Sequence, residues 1–326
     1  MTHQQTPVTF PNSHGQRLFG ILHHTGDPRV ASTAVLLLSP GVKMRVAPHR
    51  LYNKMAERFV TDGRIVLRFD FHGLGDSEGD TPEPLLADLY RATQLGRYVP
   101  DTVAALDWLE QRYGIRRVVV AGLCGGALTG LLAAQDDRRV CALLALSIPV
   151  ILDGTGVDAA RYMPVAQLEL TRHAYLQRFR VWEGKALRSW GRFFAGKSDY
   201  RQILRSLGAP IVRHWRARAL ELLPSDETTP SDNTNPHFAP AFFRMVSDAR
   251  PILLLFGESD RLYWEFDEKF VSRYREQLTR HGSMFEVHVT ARANHVFSFS
   301  EWQTEALNLA SAWLQRVTEP ATAAAR

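Results

Sequence analysis

The order of apolar and helical patterns in this 326-residue chain predicts an α/β fold, a mostly parallel sheet flanked by helices. Two observations carry that reading. Runs rich in Val, Ile, Leu and Phe recur almost unbroken, as expected of strands buried on both faces, and helical patterns fall between them. A third observation modifies it: one long aromatic and basic stretch interrupts the alternation.

The strand-like runs are Arg17 to Leu22, Ala34 to Leu38, Arg64 to Phe69, Arg117 to Ala121, Val140 to Ser147, Ile252 to Phe256 and Phe285 to Thr290. Between Pro48 and Asp62 the apolar residues Leu51, Met55 and Phe59 repeat every four positions, and Gly63 follows as a stop. From Asp101 to Arg112, Val103, Leu106 and Leu109 share a helical face, with Pro100 just before the start. Ser300 to Val317 places Trp302, Leu309, Trp313 and Leu314 at helical spacing, and Ser298 with Glu301 has capping-box spacing. Right-handed crossovers then join the parallel strands.

Residues 154 to 245 carry no buried strand but many aromatics, among them Tyr162, Tyr175, Trp182, Trp190 and Trp215. From Arg161 to Arg218 there are 13 Lys/Arg against 3 Asp/Glu, in a chain whose formal net charge is only +5, so the basic charge is local. A polar loop from Pro224 to Pro236 follows. The expected organisation is a core over 1–153, a helical basic insertion over 154–245, a second core part over 246–318, and a frayed tail over 319–326.

Composition excludes several classes. At 45% apolar and 22% charged the chain is neither disordered nor collagen-like, and no apolar run reaches the roughly 18 residues that span a bilayer. Two cysteines without metal-site spacing fit a reducing compartment, and the first residues lack a basic and an apolar signal region. A soluble cytoplasmic protein is expected. The stretch from Asp70 to Gly79 reads as a structural turn, since a dinucleotide fingerprint would need glycine where Glu78 stands. His23 and His24 read as solvated side chains rather than ligands, and neither a cofactor nor a metal is implied.

The chemistry is expected where Arg117-Val-Val-Val-Ala-Gly122-Leu-Cys124-Gly125-Gly126 turns from a buried strand into a helix. A sharp turn there forces residue 124 into strained geometry, and glycines two positions either side leave room for the crossing backbone. Cys124 at a helix N-terminus favours the thiolate, the form that attacks. Cys141 lies inside an apolar run and reads as core.

At these residues the sequence resembles the α/β-hydrolase superfamily, which implies an eight-stranded sheet with a cap insertion. In that family the acid follows a later strand and the histidine follows the last. The resemblance therefore assigns Asp260, with Glu258 as competitor, and His295, in the family's order of nucleophile, acid and histidine. The Gly-x-Cys-x-Gly elbow is similar to those of dienelactone hydrolases and polyhydroxyalkanoate synthases. Arg172-His-Ala-Tyr-Leu-Gln-Arg-Phe179 and Phe193 to Arg201 look more like hydrolases associated with the exosortase A system. The family pattern assigns one oxyanion donor to the N–H of Gly125, and the loop Leu38-Ser-Pro-Gly-Val42 is to supply the second, with Val42 the candidate.

The implied function is cleavage of a small-molecule acyl ester or thioester through an acyl-Cys124 intermediate. One alternative is acyl transfer from a thioester on an acyl carrier protein or coenzyme A to an alcohol or amine. Another is a non-catalytic scaffold binding an anionic partner. The basic insertion is a solvated surface or a contact for such an anion, and nucleic acid is disfavoured because no recognition motif accompanies the charge.

Overall fold

The computed structural model describes residues 2–83, 86–152 and 232–318. Eight strands form one sheet: β1 (Gln4–Pro11), β2 (Arg17–His24), β3 (Thr33–Leu38), β4 (Ile65–Phe69), β5 (Arg117–Leu123), β6 (Val140–Leu146), β7 (Ile252–Gly257) and β8 (Phe285–Thr290). Their order is β1-β2-β4-β3-β5-β6-β7-β8. β2 pairs antiparallel with both β1 and β4, and every other pair is parallel. This is the α/β-hydrolase fold, with an eight-stranded, mostly parallel sheet flanked by helices.

The helices that position the site are α1 (Leu51–Thr61), α2 (Leu86–Gln94), α3 (Val99–Tyr113), α4 (Gly125–Asp136), α5 (Phe238–Ser247), α6 (Arg261–Glu265), α7 (Arg275–Arg280) and α8 (Ser300–Thr318). Alternation along β3 shows why both faces are covered. Ala34, Leu36 and Leu38 enter a core shared with α3, α4 and α5, while Val35 and Leu37 enter one shared with α1 and α8. Burying each such leucine stabilises the fold by about 1.5–3 kcal/mol.

From β3 the chain runs through α1 to β4 on one side, and β5 lies on the other. The strand order therefore reverses between β3 and β5. A crevice opens outside the carboxyl ends of strands at such a reversal, which places any ligand site near Leu38 and Leu123.

Several local expectations change. β1 has no apolar run because it is an edge strand, exposed at most positions, whose partner among the described residues is β2 alone. The turn Pro48–Arg50 is a short 3-10 segment with His49 and Arg50 at φ 55° and 59°, so α1 starts at Leu51, later than expected. Pro100 lies inside the first turn of α3, where its missing N–H costs no helical bond. Ser298 does not cap α8: its hydroxyl and N–H are engaged with the Asn294 side chain. Cys141 is half-buried rather than fully in the core.

Packing divides the chain into Met1–Val157 with Asn233–Arg326, and Asp158–Asp232. α5, assigned to the insertion from the sequence through residue 245, packs against α4 in the first unit, with Phe238 and Phe242 fully buried. Residues 153–231, with most of the expected basic insertion, and the expected tail 319–326 lie outside the described residues. No helix among the described residues is long and apolar enough to cross a membrane.

Candidate active site

β5 ends at Leu123, and the chain turns at Cys124, whose φ of 55° and ψ of −120° lie in a region that side chains rarely enter. The turn is held from both sides. The Cys124 N–H donates to Leu146 O of β6 at 2.8 Å, and its carbonyl accepts the first α4 bond from Leu128 at 3.1 Å. The two flanking glycines are sterically required. A Cβ on Gly122 would lie 2.4 Å from the Gly126 carbonyl carbon, and one on Gly126 would lie 2.5 Å from Leu38 O.

The loop after β3 meets this turn directly, since a Cβ on Gly125 would lie 2.7 Å from Gly41 Cα. In that loop the Gly41 N–H is taken by Ser39 O at 2.8 Å and the Lys43 N–H by Pro40 O at 3.2 Å. Between them, no backbone acceptor among the described residues takes the Val42 N–H. Gly125 occupies the first position of α4, where an N–H has no intrahelical partner. Two N–H groups with no backbone acceptor among the described residues thus flank the Cys124 turn.

Asp260 follows β7 and His295 follows β8, and the fold brings them together: His295 Nδ1 and Asp260 Oδ2 are 3.0 Å apart. Asp260 is buried, and its second oxygen accepts from the Leu262 N–H at 3.0 Å, capping α6 and fixing the carboxylate. Glu258 is engaged elsewhere, accepting from the Arg292 N–H at 2.7 Å. The loop carrying His295 is held by Ser259 N–H to Ala293 O at 2.9 Å and by Ser147 Oγ to His295 O at 3.3 Å.

The Cys124 side chain lies close enough to His295 to act on its protonation. Burial of the ring lowers its pKa, but the bond to Asp260 and the negative charges of Asp260 and Cys124 outweigh this, so it is raised to about 10. The arrangement favours the protonated imidazole. Among the described residues no group of three His, Cys, Asp or Glu side chains is placed to share a metal ion.

The chain matches the model of the alpha/beta hydrolase family over residues 25–306. It belongs to that family. Among related proteins, a polyketide transferase from a Penicillium species is 29% identical over 140 residues, 42% of this chain and 42% of that one. The aligned part thus spans about two fifths of that relative's length.

A Pyrococcus furiosus esterase superposes with a TM-score of 0.57 at 20% identity, covering 97% of this chain and 92% of that one. The haloalkane dehalogenase DatA from Agrobacterium tumefaciens C58 gives 0.52 at 20%, covering 96% and 97%. At these identities both similarities speak to the fold.

Sequence reasoning missed Tyr90, which lies near the turn. Tyr90 of α2 packs beside Gly41 and is partly exposed, and both burial and the Cys124 charge raise its phenol pKa. Asp70, read as part of a structural turn, is buried and accepts from the Arg45 guanidinium and N–H, while Arg45 also reaches Asp76 at 2.7 Å. That ion-pair cluster supports the turn reading. His23 and His24 are buried, not solvated. His23 accepts from Arg68 Nε at 2.8 Å, a partner 45 positions away that no local pattern reveals.

Proposed function

We propose that this protein is an acyl-transfer hydrolase that cleaves an ester or thioester through an acyl-Cys124 intermediate. The observation that carries the reading is the imidazole of His295 bonded to Asp260 and lying beside Cys124, which sits at a strained strand-to-helix turn. In the first half-reaction the Cys124 thiolate attacks the acyl carbonyl, and the carbonyl electron pair moves to oxygen. The N–H groups of Gly125 and Val42 stabilise that oxyanion, each worth about 3–4 kcal/mol in comparable sites. Collapse expels the alkoxide or thiolate, which takes the imidazolium proton.

In the second half-reaction neutral His295 removes a proton from water, and the resulting hydroxide attacks the acyl-thioester. The tetrahedral adduct releases carboxylic acid and the Cys124 thiolate. The Asp260 carboxylate holds the Nδ1 proton in place throughout. Because an acyl-cysteine is itself a thioester, acylation by a thioester substrate is nearly thermoneutral. A carrier protein or coenzyme A thioester therefore suits this nucleophile.

A second reading is transfer of the acyl group to an alcohol or amine, favoured by the similarity to a polyketide transferase. The two differ only in what His295 deprotonates. Intact-protein mass spectrometry after brief exposure to acyl thioesters and aryl esters tests both. The expected result is a single acyl adduct, absent in Cys124→Ala; its lifetime in water against added alcohol or amine separates the readings. An adduct that persists in Cys124→Ala, or full turnover by that variant, would sink both.

A further inference from the structure

We infer that Tyr52 is a positioning residue for acyl transfer. Its hydroxyl is bonded to the ends of both β3 and β5, where it sets the spacing of the Cys124 turn and the Val42 loop. The inference rests on the proposed role of Cys124 as nucleophile. Tyr52 lies on α1 and is fully buried. Its hydroxyl donates to Leu38 O at 2.7 Å and accepts from the Leu123 N–H at 2.7 Å. Leu38 ends β3 and Leu123 ends β5, immediately before Cys124.

The register makes these bonds informative. β3 and β5 pair from Thr33↔Arg117 to Leu38↔Gly122. In a parallel ladder the next bond would run from the Leu123 N–H straight to Leu38 O. The Tyr52 hydroxyl bonds both of those groups, linking the two strand ends through a side chain from α1. The strands are thereby tied to α1 and to each other at the point where both leave the sheet. Beyond it β3 leads into the loop of Val42, and β5 leads into Cys124 and Gly125.

Burial, opposed by the Leu123 N–H and reinforced by the Cys124 charge, pushes the phenol well above its ordinary range. The hydroxyl therefore stays protonated and keeps its bond to Leu38. Phenylalanine would fill the same space but leave a buried N–H and a buried carbonyl facing each other unpaired. The expected relaxation is direct pairing of the strands. That would shift the oxyanion donors relative to the thiol, and a misplacement of about 1 Å costs on the order of 100-fold in rate.

The test compares two reactions of one thiol in the full-length protein. Acylation of Cys124 by an aryl ester needs the oxyanion donors, whereas alkylation by iodoacetamide does not. Tyr52→Phe is expected to slow acylation about 10- to 100-fold, counted per alkylatable Cys124, and to leave the alkylation rate within about twofold. Thr102→Val, which deletes a buried hydroxyl bonded to Tyr98 O at 3.0 Å inside α3, is expected to leave both rates unchanged.

Unchanged acylation in Tyr52→Phe, a parallel fall in alkylation, or an equal loss in Thr102→Val would overturn the inference. If phenylalanine prevents folding, 3,5-difluorotyrosine at position 52 keeps the hydroxyl while altering its bonds. A change of twofold or more in acylation at constant alkylation then supports the role, and no change refutes it. A wild-type protein that alkylates at Cys124 but never acylates would instead fail the nucleophile reading, and this inference with it.

Discussion

Two histidines near opposite edges of the sheet are each held by polar partners, and their proton affinities diverge. His295, after β8, is raised to about 10, whereas His23, on β2, is lowered to about 3. Burial lowers both. At His295 that loss is reversed by the hydrogen bond to Asp260 and by the negative charges of Asp260 and Cys124. At His23 the Arg68 charge adds to it, followed by His3 and His24.

The hydrogen bonds show the same contrast. Arg68 Nε donates to His23 Nε2 at 2.8 Å, so Nδ1 carries the proton and faces His3 Nε2 at 3.0 Å. Both imidazoles have defined partners, and the sign of the neighbouring charge decides which one holds an extra proton. A buried histidine beside a guanidinium is a neutral structural acceptor. One between a carboxylate and a thiol is equipped for proton transfer.

Removing the carboxylate is the largest break in this contrast. Asp260→Asn is expected to drop the His295 pKa from about 10 toward that of an ordinary imidazole, and to cut turnover of an aryl ester on the order of 10³- to 10⁴-fold. NMR titration of the ring and steady-state rates at pH 7.5 check the two parts. The raised pKa also carries a stability window: its contribution is complete below about 6.5 and is lost as pH rises through about 10. Urea midpoints between pH 8 and 11 should therefore fall in the wild type and flatten in Asp260→Asn. Retention of more than a tenth of wild-type turnover would refute the pairing as the source of activity.

The opposite window belongs to His23. Its folded pKa is depressed, so the stability it contributes is present above about 6.5 and is lost as pH falls toward 3. Over that interval the group should cost about 1.4 kcal/mol per pH unit. His23→Gln keeps an acceptor for Arg68 and cannot take up the proton. Denaturation curves from pH 7 to 4 should be shallower for this variant, with turnover at pH 7.5 within about twofold of wild type. An unchanged acid slope would show that His23 is not the group that charges on unfolding.

The smallest expected effect sharpens the comparison at the active end. Ser147, after β6, repeats the corner of Cys124: its φ is 47°, and its N–H donates to Leu255 O of the next strand at 2.8 Å. It is fully buried, and its hydroxyl donates to a backbone carbonyl, that of His295. Ser147→Ala should cost about 1 kcal/mol in unfolding free energy and change turnover less than tenfold. A loss as large as that of Asp260→Asn would mean that Ser147 does more than hold the loop.

Much of the fold was legible because buried parallel strands are written as local apolar runs; Phe285–Thr290 begins and ends where its residues predict. The elbow was legible for a related reason, since Gly122 and Gly126 are demanded by contacts of 2.4 Å and 2.5 Å that no side chain could survive. β1 was not, because exposed edge positions carry no apolar signature. Nor was the cap of α8, where Asn294 takes up the serine that the capping-box spacing had assigned to the helix.

The sequence by itself determined seven of the eight strands and the strained turn at Cys124, because each depends on residues adjacent in the chain, and the family resemblance pointed to Asp260 and His295 at strand ends. Only the tertiary structure decided that Asp260 rather than Glu258 meets His295, that the Tyr52 hydroxyl bonds both Leu38 and Leu123, and that His23 is buried beside Arg68. Those outcomes depend on desolvation, charge and free hydrogen-bonding groups, which follow distance in space and not position in sequence.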